Sequence, residues 1–329
     1  MSFSITTSSQ TGNARGFVLA CLGISAAVVL ALALLNYVVD PYGAFGNNRL
    51  GVFISAEREA KPILLRRYQH DALLVGDSKM GMIPAGQLEG YRFFNASFAG
   101  ASDEEEYFFL DHFATDQKLV VLEVDFLQCD PAVCSGDIFA SRGMVSTLDS
   151  LLSAKTVEYS ARTILEHLAG TPASLEPDGS GDASGWFKLY DRENKAVQRY
   201  KLERLFNYYD HVSPGFHLSF FGKIARLLRQ RGVRCAAFVP PLHAALADHL
   251  KSSPNRQVFD RWRDEVRAIF PDVVDLSVSS YGEPKNFFQT DPVHFKPAVG
   301  VRLLNERVIP LAKDLMSTNS HSIGDAERK

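Results

Sequence analysis

The chain lacks the features that mark several large protein classes. It has no basic surplus: 35 Lys and Arg stand against 38 Asp and Glu, a net charge of −3. With no excess cation to neutralise phosphates, a nucleic-acid binder is excluded. Four cysteines in 329 residues are too few for a disulfide scaffold. No Gly-x-Gly-x-x-Gly and no Walker loop occurs, which removes the common nucleotide-binding fingerprints. Internal repeats and long runs of like charge are also absent. His112, His211 and His217 show no metal-ligand spacing with Cys or carboxylates. What remains is a chain that is 46% apolar, enough to bury a full core.

The first 40 residues differ from the rest. Residues 1–15 are rich in Ser, Thr, Asn and Gln and read as a disordered tail. Residues 16–39 carry no charge and are dominated by Val, Leu and Ala. Such a run is long enough to span a bilayer, which takes about 20 residues. A cleavable signal peptide with Ala31-Leu-Ala33 as its small-residue site is the rival. The apolar run continues past that site through Leu34, Leu35, Tyr37 and Val39, and a signal's apolar region is normally about 7–15 residues. An uncleaved, single-pass anchor is therefore expected. Arg49, Arg58, Lys61, Arg66 and Arg67 after the span outnumber Arg15 before it, which by charge count favours a cytoplasmic domain. Most of these charges lie near or beyond the range that sets topology, and a large domain can translocate regardless. Cys129 and Cys134 are spaced to close a small disulfide loop, which suits an oxidising periplasm. Two unpaired thiols are the alternative. The expectation is an inner-membrane protein with a periplasmic domain.

Residues 40–70 form a juxtamembrane connector of turn residues and mixed charge. From residue 71 strands and helices alternate. Leu73–Val75, Tyr91–Asn95, Leu119–Asp125, Cys235–Val239 and Val273–Leu276 read as strands, the third nearly all apolar as in a sheet covered on both faces. Ser102 and Glu105 form a capping box for the helix after the second strand. Leu218, Phe221, Ile224, Ala225 and Leu228 share one helix face, stopped by Gly232. Phe259, Trp262, Val266 and Ile269 share another. A last helix is expected over about 298–316 with a kink at Pro310, then a loose tail over 317–329. Residues 129–212 break the rhythm and read as a helical insertion. The pattern predicts an α/β domain over 71–316 with a five-stranded, right-handed, doubly wound parallel sheet.

Three segments fall at strand ends or before the last helix: Gly76-Asp77-Ser78, Asn95–Gly100 and Asp291-Pro-Val-His294. Ligands of open α/β sheets sit beyond the carboxyl ends of the strands. A nucleophilic serine needs a base in hydrogen-bond reach and a third group to fix that base's tautomer. Ser78, His294 and Asp291 offer those roles. The N–H groups of Ser78 and Gly100 are candidates for an oxyanion hole. His243, after the fourth strand, is a candidate for lining the cleft or a packing residue. Asp77 reads as a turn-former and Lys79 as a solvated lysine.

These three segments resemble the blocks of the SGNH (GDSL-type) hydrolase superfamily, over roughly residues 71–312. The resemblance implies a three-layer α/β/α, flavodoxin-like fold, with Ser78 as nucleophile, His294 as base, Asp291 as orienting acid and Gly100 as oxyanion donor. It calls for no cofactor and no metal. One block departs: the family's Gly-x-Asn-Asp should fall near Val124–Gln128, where no asparagine stands. Gln128 is the nearest substitute. Losing one such donor typically costs about 2.7–4 kcal/mol of transition-state stabilisation.

The anchor, the Asp40-Pro-Tyr-Gly exit and the weakened third block resemble SGNH-like envelope proteins of polysaccharide acylation systems. That layout implies a serine esterase or O-acyltransferase acting on an acylated cell-envelope polysaccharide, supplied by a multi-span membrane acyltransferase. A non-catalytic glycan-binding subunit is the alternative that the missing asparagine suggests. A lipid esterase or thioesterase is a third, without a clear apolar channel to support it.

Overall fold

The computed structural model describes residues 10–129, 136–140, 147–171, 174–191, 194–211 and 218–312. Cys134 and the tail from 317 lie outside these, so the Cys129–Cys134 pairing falls outside the described residues. In order, the elements are α1 (Gln10–Val39), α2 (Glu57–Arg67), β1 (Ala72–Val75), α3 (Ser78–Gly81), β2 (Phe93–Asn95), α4 (Asp103–Phe113), β3 (Leu119–Glu123), α5 (Thr147–Leu152), α6 (Ala154–Leu168), α7 (Ser184–Tyr190) and α8 (Lys195–His211). There follow α9 (Ser219–Gln230), β4 (Arg234–Val239), α10 (Ala244–Leu250), α11 (Arg256–Ile269), β5 (Val274–Asp275), β6 (Phe287–Phe288), β7 (Asp291–Phe295) and α12 (Pro297–Leu303).

Strands β1–β5 form one parallel sheet in the order β2-β1-β3-β4-β5. All nine residues of β1 and β3 are buried, because helices cover both faces. Leu73, Val75, Val120 and Leu122 point to the face packed by α4, α9 and α11 through Phe109, Phe221 and Trp262. Ala72, Leu74, Leu119 and Val121 alternate to the other face, against Met80 of α3 and Val299 and Leu303 of α12. The α/β class and the five parallel strands agree with the sequence pattern.

Details differ from the sequence reading for identifiable reasons. Ser102 does cap α4, accepting from the Glu105 N–H at 3.2 Å. The Glu105 carboxylate, however, is held by the Arg58 guanidinium at 2.6 and 2.9 Å rather than by the cap. The last helix, expected over about 298–316 with a kink at Pro310, starts at Pro297. A π turn at Leu304–Val308 precedes Pro310 and the chain continues helical to Ala312, so the wider turn accommodates the missing N–H. The Asp291–His294 segment, read as a loop, is a strand paired antiparallel with β6.

The insertion is bound into the domain at separate places. Asn36, fully buried in α1, donates to the Leu151 carbonyl of α5 and accepts from the Ser160 hydroxyl of α6, both at 2.8 Å. The 174–182 turn covers the free edge of β2, with the Asn95 N–H donating to the Asp178 carbonyl at 2.7 Å. An edge so covered cannot pair with another chain. The connector joins in as well: α2 places Leu65 in the core and buries Lys61 against the Ser97 carbonyl.

Candidate active site

The stretch Gly76-Asp77-Ser78 turns from β1 directly into α3. Gly76 has to be glycine, because a Cβ there would lie 2.6 Å from Met80 Cγ and 2.8 Å from Glu123 Cβ. Asp77 caps α3, its carboxylate accepting from the Lys79 N–H at 2.8 Å, as expected of a turn-former. Its own N–H donates to Glu123 Oε2 at 2.9 Å. Asn95 secures the far end of the turn by donating its amide to the Met80 and Ile83 carbonyls at 2.9 and 3.0 Å. Ser78 is thereby held partly open between fully buried neighbours.

Ser78, His294 and Asp291 meet in one hydrogen-bonded line. Ser78 Oγ lies 2.8 Å from His294 Nε2. His294 Nδ1 lies 2.9 Å from Asp291 Oδ2. The hairpin β6–β7 brings His294 to a serine 216 residues earlier in the chain. Burial of Asp291 opposes its ionisation. The hydrogen bond and charge of His294, the Val293 N–H and the charge of Lys201 outweigh it, so the carboxyl lies below its ordinary range. Asp291 is thus ionised at neutral pH and can fix the tautomer in which His294 Nε2 accepts the serine proton.

The oxyanion donors are less complete. The Ser78 N–H has no acceptor among the described residues, so it is free for a ligand. The macrodipole adds little, because α3 is a single turn. Gly100 occupies an exposed turn at φ +64°, a conformation that itself calls for glycine. No hydrogen bond connects it to Ser78. Gln128 is fully committed elsewhere: its amide donates to Glu106 at 2.8 Å and its oxygen accepts from the Asp125 N–H at 2.9 Å. His243 is buried, caps α10 by accepting from the Ala245 N–H, and packs edge-on against Phe287. Burial lowers its pKa, so it is a neutral packing histidine.

One feature the sequence reading missed lies directly beneath the serine. Lys79 is not solvated but 4% exposed. Its ammonium touches Asp77, and reaches Asp125 Oδ2 at 2.6 Å and Glu123 Oε1 at 3.5 Å. Burial opposes the charge, but the three carboxylates win and its pKa lies well above the ordinary value. Asp77, Glu123 and Asp125 are close enough together to hold a cation; the lysine fills that role. Glu123 is pushed well above the carboxylate range by burial and by Asp77. Glu106 is likewise pushed up by burial and by Glu123. The available signal was Glu123 and Asp125 closing an otherwise apolar strand, with a lysine next to the serine.

A groove of about 480 Å³ runs from Asp291, Pro292 and Val293 to Leu127 and to Lys201, Arg204, Leu205 and Tyr208. The last four belong to α8, so the insertion supplies one wall.

No family model matches the sequence, and no curated protein matches it.

Proposed function

We propose that this chain is a membrane-anchored SGNH-type serine esterase or O-acyltransferase acting on an acylated cell-envelope polysaccharide. The observation that carries the reading is the Ser78–His294–Asp291 line at the carboxyl edge of the parallel sheet. The sheet order and the match of the three short blocks support the superfamily assignment. In the first half-reaction Ser78 Oγ attacks the acyl carbonyl and its proton passes to His294 Nε2. The sugar oxygen leaves with that proton, and the acyl group stays on Ser78. In the second, His294 takes a proton from water or from another sugar hydroxyl, whose oxygen attacks the acyl group, and then gives that proton to the departing Ser78 Oγ. The groove beside Asp291 offers the cations Lys201 and Arg204 and the ring of Tyr208 alongside the apolar Leu127, Leu205, Pro292 and Val293, so it has contacts for both a sugar and an acyl group.

Helix α1 contains a 26-residue span, Ala14–Val39, uncharged over residues 16–39 and long and apolar enough to cross a bilayer. We assign it as a single-pass inner-membrane anchor with the domain in the periplasm, where an acylated glycan and a multi-span acyltransferase partner would be met. A reporter fused after Met316 tests the side: periplasmic activity supports the topology and cytoplasmic activity refutes it.

The commitment of Gln128 to Glu106 and Asp125 favours a second reading, a glycan-binding subunit with little turnover. A fluorophosphonate probe separates the two. Labelling of the wild type that is lost in Ser78→Ala supports the enzyme; glycan binding by both proteins, with labelling of neither, supports the binding subunit.

A further inference from the structure

Helices α5 and α6 carry an arrangement that a soluble surface does not explain. One polar face of α6 turns inward, while Glu158 and Arg162 form an exposed pair at 2.8 Å. Thr156, Ser160 and Thr163 are buried, Lys155 pairs with Glu59 at 2.6 Å, Glu166 accepts from the Ser55 hydroxyl at 3.0 Å, and Tyr159 packs edge-on against Tyr42. The opposite face carries Val157, Ala161, Ile164, Leu165 and Leu168, a stripe at helical spacing. Leu165 and Leu168 are 65% and 76% exposed, and on α5 Leu148 and Leu152 are 66% and 49% exposed.

What covers this face follows from where it is tied. Both helices are hydrogen-bonded to Asn36 in the last turns of α1. The uncharged run of α1, residues 16–39, has 24 residues, about 36 Å at 1.5 Å per residue, against a hydrocarbon layer of about 30 Å. That excess, with the polar Asn36 in the last turns and the turn at Asp40 that follows the helix, places the final turns in the interfacial layer together with the helices fastened to them. A helix with leucines on one face and polar groups on the other is the kind that lies in the plane of a membrane surface.

We propose that α5 and α6 form an in-plane membrane-surface element that seats Leu148, Leu152, Leu165 and Leu168 in the lipid headgroup–acyl boundary, holding the domain against the bilayer. This rests on α1 being a membrane anchor, and Cys21, exposed within α1, reports on that separately.

The test uses the full chain in nanodiscs of phosphatidylethanolamine and phosphatidylglycerol. An environment-sensitive fluorophore is placed on Leu165→Cys and Leu168→Cys, each in a Cys21→Ser background whose own signal is subtracted. Val278→Cys, on an exposed loop of the sheet domain, is the aqueous control. Expected are blue-shifted emission at 165 and 168, several-fold quenching by lipids brominated near the headgroup, and little quenching by iodide. Water-like emission at both positions overturns the proposal. Blue-shifted emission that brominated lipid leaves unchanged overturns it too, because a protein then covers the face. The parent minus its Cys21→Ser form reads α1 alone. Lipid quenching there without quenching at 165 and 168 keeps the anchor and rejects the surface element; no quenching at Cys21 rejects the anchor itself.

Discussion

Ser78 and Lys79 are adjacent in sequence and share one turn of helix, yet they face opposite surroundings. The serine side of the turn is partly open and ends in a line of two hydrogen bonds. The lysine side is sealed and holds one ammonium among three carboxylates. The same contrast separates two acids. Asp291 is held below the ordinary carboxylate range and stays charged for His294, whereas burial and the neighbouring Asp77 push Glu123 well above it. One side of the turn has the form of a reactive site; the other fixes where that site stands.

This contrast can be broken from either side. Ser78→Ala should remove about 10,000-fold or more of acyl-ester turnover, about 5.5 kcal/mol or more of barrier, while leaving the melting temperature nearly unchanged. A steady-state assay with calorimetry checks both. A large fall in stability would mean that Ser78 belongs to the structural side after all. Lys79→Met should do the reverse, costing about 3–5 kcal/mol of stability, because it leaves buried carboxylates without their cation; denaturant unfolding measures it. Gly76→Ala should cost about 1–3 kcal/mol by overpacking against Glu123 and Met80, in the same experiment.

The smallest effects concern pH. The lowered pKa of Asp291 gives stability that is present above its ordinary value of 3.8 and lost as pH falls through the folded value. Asp291→Asn should therefore destabilise more at pH 7 than at pH 3. The raised pKa of Glu123 works the other way. The folded state keeps a proton that the unfolded chain releases near 4.5, so stability contributed by this group falls as pH rises above that value. Glu123→Gln should gain stability relative to wild type as pH rises above 4.5. Melting curves across this range read both slopes, and parallel slopes for the two variants would erase the contrast.

Much of this was legible in the sequence, for physical reasons that also mark where it stopped. Apolar runs ending in turn residues locate strands, so the sheet and the carboxyl-edge position of Ser78 followed. A motif names residue types, and types were enough for Ser78, His294 and Asp291. Partners that depend on tertiary contact were not legible. Lys79 looks like any surface lysine until β3 brings Glu123 and Asp125 beneath it. Gln128 looks like a free donor until Glu106 and Asp125 occupy its amide. The insertion's attachment to α1, to the β2 edge and to the groove runs through polar side chains and backbone groups, so it appears only in three dimensions. Its outward leucines look, in sequence alone, like an ordinary buried face.

The distance in sequence between Ser78 and His294 also has a consequence for biogenesis. The serine, its cap and all five strands of the parallel sheet precede the hairpin that carries the base. A chain emerging from the N-terminus first presents Ser78 without its base until β6 and β7 have emerged. The acyl chemistry proposed for Ser78 therefore waits on the docking of that hairpin.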